Sequence, residues 1–145
     1  MSRLDRNRVD RLLTEIREAV AVVEGALAVE EESFLRDTRS IYAVRYAIVK
    51  IVEAAALIGS QILEAIYGVA PETYSEVFEQ LGKRGVLSPN VSMSFKKLAG
   101  LRNILVHRYW SVDDSRVYRE AKGNGLKTIK MFIDEIRRYV YERSG

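Results

Sequence analysis

Apolar residues recur every three or four positions along most of the chain, a spacing typical of amphipathic helices. The first such segment predicts a helix from about residue 5 to residue 29. Its apolar positions are Val9, Leu12, Leu13, Ile16, Val20, Val23 and Leu27. We interpret the acidic run at residues 30–32 as the solvated end of this helix and residues 33–40 as a connector.

A second helix is predicted from about Thr38 to Tyr67, because Gly68 and Pro71 follow it and favour a helix end. Its segment 48–59 is apolar almost all round, so it must be covered on several sides, either by the rest of a bundle or by a second subunit. Glu53 lies inside this segment. Burying its carboxylate requires a partner, and Arg102 is a good candidate.

The rest of the chain predicts four more helices. The first starts at the capping-box spacing of residues 73–76 and stops around residues 82–85, and the next runs from about residue 92 to residue 109. A short helix follows from a cap at residues 111–114 to about residue 121. Residues 123–125 are expected to break it before a last helix that runs to about residue 143. Since no segment has a credible strand pattern, the predicted fold class is all-α.

Composition limits the chemistry. A length of 145 residues suits one domain with a substantial core. The chain has no cysteine and one histidine, so it has no disulfide framework, and a single copy cannot assemble a zinc-type ligand set. The net charge of +3 permits an RNA partner without requiring one. We expect neither a metal nor another cofactor.

The start of the chain is charged over residues 1–6 and has no continuous apolar core after it, so we expect no signal peptide. The most apolar segment, residues 48–66, is interrupted by Lys50, Glu53, Gln61 and Glu64, which argues against a membrane span. We therefore expect a soluble, cytoplasmic protein without a membrane partner.

Residues 101–110 contain the only histidine and the only tryptophan. On a helix, Arg102 would lie in the middle of an apolar face. That face consists of Phe95, Leu98, Ala99, Val106 and Tyr109. An unpaired buried charge is strongly unfavourable, so Arg102 must meet a carboxylate, a wet cleft or an anionic ligand. Asn103 and His107 share a flank with Lys96, about 100° to 140° from Arg102, so the guanidinium is expected to reach the imidazole at the rim of a groove.

Histidine is the side chain best suited to moving protons near neutral pH, so His107 is the candidate general base or acid. If the RNA partner that the net charge permits is a substrate, cleaving it without a metal needs one proton removed from the ribose 2′-hydroxyl and one given to the leaving oxygen. One histidine per chain is too few for both steps. A two-fold dimer would bring two imidazoles and two guanidiniums into one cleft.

The segment from Arg102 to Tyr109 resembles the Arg-x4-His-x-Tyr signature of the HEPN superfamily, specifically its HepT branch, the toxin of the HepT/MntA pair. The resemblance extends along most of the chain, in the order of Phe34 to Asp37, Glu53-Ala54, Gly59, Ile62, Tyr74-Ser75, Phe78 and Leu81-Gly82. It implies one HEPN domain over residues 1–145, folded as an up-and-down bundle of four to five main helices and paired as a two-fold homodimer.

The same resemblance implies a metal-independent endoribonuclease toxin of a type VII-like HEPN/MNT toxin-antitoxin pair. Arg102 and His107 would be its catalytic pair in the dimer cleft, with Arg102 on the scissile phosphate and Asn103 orienting the phosphate or the imidazole. An MntA-like nucleotidyltransferase antitoxin would attach AMP to Tyr109, and the added bulk and negative charge would occupy the phosphate site.

Lys96 and Arg108 are the candidate residues for binding the RNA substrate, and Lys97 and Arg45 are further basic residues that could follow its backbone. Arg108 and Lys97 fall on the opposite flank from Lys96, where a simple solvated face is favoured. Trp110 is expected in the core or in an interface.

Two other functions remain open. The chain could be a non-catalytic HEPN subunit that binds nucleotide or scaffolds a nucleotidyltransferase complex, with Arg102 and His107 recognising phosphate. It could also be an interaction bundle in which Arg102 is a buried structural partner of Glu53 and His107 lies near a helix C-terminus.

Overall fold

Helices make up nearly all of the backbone in a computed structural model of the chain, which describes residues 4–143. No strand occurs in that range, and the predicted all-α fold class is confirmed. The first three residues of the charged N-terminal segment lie outside it. The helices are α1 (Arg6–Ala26), α2 (Glu31–Arg36), α3 (Thr38–Ile62), α4 (Tyr74–Lys83), α5 (Pro89–His107), α6 (Asp114–Glu120) and α7 (Leu126–Arg143).

The helix α3 is the centre of the bundle. It packs along α1 on one side and against α4 and α5 on others, while α7 packs on α1 and α5. Its buried side is continuous from Val44 to Ile62. The prediction that this apolar helix is covered on several sides is therefore confirmed. A wide helical turn, Leu63–Tyr67, extends it to Gly68, whose φ of 66° needs a glycine.

Side-chain caps place the starts of α4 and α5, the helices nearest the candidate motif. The Thr73 hydroxyl accepts a hydrogen bond from the Glu76 amide, and the Glu76 carboxylate accepts one from the Glu72 amide. Ser88 caps α5 and Pro89 begins it, a position where its missing N–H costs nothing. Each cap satisfies an amide that the helix leaves free, so both starts are set locally, although only that of α4 was predicted.

The acidic run at residues 30–32 is not the end of the first helix, and the predicted connector is wrong over residues 33–36. Glu30 instead precedes α2, and Glu31 and Glu32 lie in its first turn. Carboxylates are favoured there by the helix dipole. Glu31 also accepts hydrogen bonds from Ser115 and Arg119, and the bond from Arg119 lowers the pKa of Glu31 below its ordinary value.

Two other boundaries differ from the prediction. Residues 121–125 form a wide helical turn that joins α6 to α7, so the glycines at 123 and 125 do not interrupt the helical path. The helix α5 starts at Pro89 and ends at His107, whereas the pattern predicted 92 to 109. Tyr109 therefore lies beyond the end of the motif helix.

None of the helices within residues 4–143 combines the length and the hydropathy that crossing a membrane requires.

The contact between α3 and α4 depends on Gly59, and we predict that Gly59→Ala destabilises the fold by about 1–3 kcal/mol. An added Cβ would lie 2.5 Å from Val77 Cγ1 and 2.8 Å from Leu81 Cδ1. Urea unfolding at fixed protein concentration measures the change. Gly25→Ala is the matched control, because nothing lies within 4 Å of its Cβ position and alanine favours a helix. Equal stability of the two variants would contradict the role of Gly59.

Candidate functional site

The helix α5 carries Arg102, Asn103 and His107 and is fixed to the core by its other face. Phe95 stacks on Phe132 of α7 with ring centroids 4.5 Å apart and lies 5.1 Å from Phe78 of α4. The buried residues of α5 are Val91, Ser92, Phe95, Ala99 and Leu105. The candidate motif therefore lies on a helix whose position is set by the bundle.

Arg102 turns inward, toward α3 and α4. Its Nη2 donates a hydrogen bond to Oε2 of Glu53 at 2.8 Å, and its Cζ lies 4.8 Å from the centre of the Tyr74 ring. The Arg102 side chain is 17% exposed and that of Glu53 is 43% exposed. The predicted pairing with Glu53 is confirmed, and the guanidinium also gains a cation–π contact that sequence reasoning missed.

Asn103 links Arg102 to the solvent-facing side of α5. Arg102 Nη1 donates a hydrogen bond to Asn103 Oδ1 at 3.2 Å. Asn103 and His107 are four residues apart, hence on one helix face, and both are exposed. Arg102 and His107 are about 140° apart around the helix, and Asn103 lies at the edge between them.

The structure does not bring the Arg102 guanidinium to the imidazole of His107, contrary to the expectation from sequence. Arg102 is directed to Glu53 rather than to the imidazole, and His107 lies on open surface. A cavity of about 920 Å³ lies instead at the N-terminal end of α5, and no motif residue lines it. It is lined in part by Gly82, Leu87, Pro89, Glu135 and Tyr139. The contacts of Arg102 therefore do not bring the guanidinium and the imidazole together within one chain.

Tyr109 does not share the helix face of Arg102, contrary to the prediction for a continuing helix. Arg108 leaves the helical region with φ −140° and ψ 44°, and Tyr109–Ser111 form a single 3-10 turn. The Tyr109 side chain is 60% exposed and meets Trp110 edge to face, with ring centroids 5.4 Å apart. Trp110 is 72% exposed, so it does not lie in the core, and its alternative place in an interface stays a prediction.

The basic residues expected along an RNA path have different surroundings. Lys96 Nζ lies 3.3 Å from Oε1 of Glu79 on α4, and both side chains remain partly exposed. Arg108 and Lys97 are exposed. Three of the four basic candidates thus remain accessible to a phosphate backbone.

Arg45 is the exception, because it faces the protein. Its Nε and Nη2 donate to Oδ1 and Oδ2 of Asp114 at 2.9 and 2.7 Å, and its Nη1 donates to the carbonyl oxygen of Tyr109 at 3.1 Å. The hydrogen bonds with Asp114 raise the pKa of Arg45 above its ordinary value. This role was not predicted from sequence. The argument that predicted a partner for Glu53 applies to Arg45 as well, because a charge in a mostly apolar helix needs a partner.

The family described as Ribonuclease HepT-like matches residues 5–136. A curated relative, the tRNA nuclease HepT of Aphanizomenon flos-aquae, is 31% identical over 90 residues, which are 62% of this chain and 60% of that protein. The match thus spans about 60% of the length of that relative.

Solved structures with the same fold cover nearly all of the chain. A tri-AMPylated HEPN toxin of Shewanella oneidensis, in complex with an MNT antitoxin, has a TM-score of 0.81 at 21% identity and covers 90% of this chain and 96% of its own. YutE of Bacillus subtilis, described as a cytosolic protein of unknown function, has a TM-score of 0.84 at 20% identity, covering 99% and 95%. At these identities the likeness shows the fold alone.

We predict that the Arg102–Glu53 pair contributes a coupling free energy of about 1–2 kcal/mol, because Arg102 is largely desolvated. A double-mutant cycle with Arg102→Met and Glu53→Gln, read by urea unfolding, measures it. The Arg36–Glu32 pair is the control, since its side chains are 82% and 85% exposed and such pairs contribute about 0.5 kcal/mol or less. Equal couplings would show that Arg102 is as well solvated as a surface arginine.

Proposed function

Since the chain belongs to the Ribonuclease HepT-like family, we propose that it is an RNA-cleaving toxin whose catalytic pair is Arg102 and His107. The family match confirms the resemblance to the HepT branch. The solved structures of the same fold confirm the predicted HEPN-type helical bundle. The single observation that carries the proposal is the placement of an oriented guanidinium and an exposed imidazole on adjoining faces of α5, with Asn103 between them.

The chemistry of RNA cleavage suits these side chains. His107 takes the proton of the ribose 2′-hydroxyl or returns one to the leaving 5′-oxygen. Arg102 stabilises the charge that develops on the phosphorane, a task for which a fixed, always-charged guanidinium is suited. Asn103 orients the phosphate or the imidazole through its amide. Glu53 and Tyr74 fix the guanidinium from behind, so that little reorganisation is needed during the reaction.

A two-fold homodimer completes the proposed site, because each chain supplies one imidazole for two proton transfers. The surface around the motif supports this pairing. Leu57 is one turn from Glu53 on α3 and 46% exposed, and Val106 is one turn from Arg102 on α5 and 41% exposed. A second copy of the chain could bury these exposed apolar side chains.

The Nε atom of Arg102 is buried and has no hydrogen-bond partner within residues 4–143. It is therefore a donor that a group from outside the chain could satisfy.

We propose that the reaction is independent of metal. Within residues 4–143 no three histidine, aspartate or glutamate side chains are grouped closely enough to bind one ion. The proton transfers and the charge stabilisation are assigned to His107 and Arg102 instead. Lys96 and Arg108 bind the RNA backbone on the two sides of the motif. The enzyme acts in the cytoplasm and uses no cofactor.

The proposed control is AMP transfer to Tyr109 by an MntA-like nucleotidyltransferase antitoxin, in a type VII-like HEPN/MNT toxin-antitoxin pair. The support is the exposure of Tyr109, together with its place two residues after His107. The Shewanella toxin of the same fold is described as tri-AMPylated and in complex with an MNT antitoxin. A bound adenylate brings a phosphate charge close to the motif and competes with RNA there.

One observation favours a second candidate, the interaction bundle in which Arg102 is a structural partner of Glu53. The Arg102 guanidinium already has a carboxylate partner and is 17% exposed, so a structural role is available to it. A folded wild-type protein that neither cleaves RNA nor binds nucleotide would select this alternative. Nucleotide binding without RNA cleavage would instead select the non-catalytic HEPN subunit that binds nucleotide or scaffolds a nucleotidyltransferase complex.

We predict that His107→Ala reduces RNA cleavage by about 100-fold or more, because removing a general acid or base typically costs two to four orders of magnitude. Cleavage of total tRNA by the purified protein is measured with and without EDTA. The wild type is expected to cleave equally in both. Arg116→Ala, on the exposed side of α6, is the control and should cleave normally. Cleavage by His107→Ala at the wild-type rate would refute the catalytic assignment.

We predict that Tyr109→Phe abolishes AMP incorporation and leaves RNA cleavage within about twofold, because the phenol oxygen is the acceptor and is not needed for proton transfer. Mass spectrometry of the toxin coexpressed with the nucleotidyltransferase locates the adenylate. Tyr46→Phe is the matched control, since Tyr46 is 70% exposed on α3. An adenylate found on the Tyr109→Phe chain would place the modification elsewhere.

A further inference from the structure

We propose that Arg45 is the positioning residue for the post-motif segment, residues 108–113, and that it sets where the Tyr109 hydroxyl is presented to the modifying enzyme. The role in modification rests on the proposed function. The role in holding the segment rests on the geometry of Arg45 alone.

Arg45 connects α3 to both ends of the post-motif segment through one guanidinium. Its bidentate bonds reach Asp114, the first residue of α6, and its third bond reaches the Tyr109 carbonyl. The Arg45 and Asp114 side chains are 20% and 19% exposed, so water competes weakly for these bonds. Only a planar guanidinium, with N–H donors on two edges, can make all three bonds at once. The lysine ammonium lacks this geometry.

Apart from Val112, whose partly buried side chain packs against the core, the segment has little else to fix it against the bundle. Its internal bonds run from the Ser111 amide and hydroxyl to the Arg108 carbonyl, which shape the turn without attaching it to another helix. The aromatic side chains of Tyr109 and Trp110 are mostly exposed and contact each other. Since Val112 anchors only the far end of the segment, the position of Tyr109 and Trp110 depends on the polar contacts with α3.

The contact between Arg45 and the Tyr109 backbone matters because α5 ends at His107. Up to His107, the place of each motif residue relative to Arg102 is fixed by the helix itself. Beyond it, the place of Tyr109 relative to Arg102 is fixed through α3, where Glu53 binds Arg102 and Arg45 binds the Tyr109 backbone. Loss of the Arg45 bonds would therefore move Tyr109 and leave the catalytic pair in place.

The transfer itself is a simple displacement. The Tyr109 phenol oxygen attacks the α-phosphorus of ATP, the bond to pyrophosphate breaks, the phenol proton leaves, and AMP remains attached through a phosphodiester. Arg45 touches none of the reacting atoms. It acts by placing the acceptor oxygen, and a displacement of about 1 Å in such a step lowers rates by about 100-fold.

The test uses Trp110, the only tryptophan of the chain, as a reporter inside the segment. Arg45→Lys keeps the charge and loses the fork. We expect it to lower the fluorescence anisotropy of Trp110 and to slow AMP transfer to Tyr109 by about 10- to 100-fold. RNA cleavage at saturating RNA should stay within about twofold, because Arg108, which lies in the segment, is assigned to RNA binding and not to catalysis. ATP and the nucleotidyltransferase are supplied to the full-length protein.

Arg119→Lys is the matched control. Arg119 makes the same bidentate contact with Glu31, at 2.9 and 3.1 Å, but joins α6 to α2 and does not touch the segment. It should leave the anisotropy and the AMP transfer unchanged. A general loss of stability would instead lower RNA cleavage and AMP transfer together in either variant.

Each result decides a separate point. Unchanged Trp110 anisotropy in Arg45→Lys would overturn the proposal, and so would lowered anisotropy with AMP transfer at the wild-type rate. If the wild-type Tyr109 receives no AMP, the modification in the proposed function fails, and the presentation role of Arg45 fails with it. The anisotropy of Arg45→Lys then still shows whether Arg45 holds the segment.

Discussion

The ion pair between Arg102 and Glu53 is the contact on which the arrangement of the motif depends. It fixes a permanent cation on a helix face that otherwise serves the core, and the Tyr74 ring covers the guanidinium from α4. The pair is unequally buried, since the carboxylate is 43% exposed and the arginine 17%. Water on the carboxylate side lowers the desolvation cost of the pair.

The rest of the bundle serves this contact by bringing three helices together at one place. The close approach of α4 to Gly59 of α3 brings Tyr74 within reach of Arg102, and the aromatic contacts of Phe95 fix α5 over the core. The helices at the centre of the bundle therefore also hold the Arg102–Glu53 pair and the Tyr74 ring in place. The same fold occurs in solved structures at about 20% identity. The spacing of apolar positions builds the bundle, and different apolar side chains can occupy those positions.

The sequence predicted most elements of the fold, and the errors have local physical causes. Caps such as Thr73 and Asp113 mark helix starts because they act within one turn. The end of α5 was predicted too late because it carries no glycine or proline as a stop signal. The side chain that binds the Tyr109 carbonyl just beyond this end belongs to Arg45, 64 residues away. Sequence reasoning also found the Arg102–Glu53 pair from charge burial. It missed Tyr74 and Asp114 because nothing in the local pattern indicates which distant side chain approaches.

The termination of α5 between His107 and Tyr109 has an evolutionary consequence. Inserting or deleting a residue in the short turn after His107 would change the reach of the tyrosine without altering the helical register of arginine and histidine. Sequence drift in the length of that turn can therefore change where the Tyr109 hydroxyl is presented while the spacing of Arg102 and His107 on α5 stays constant.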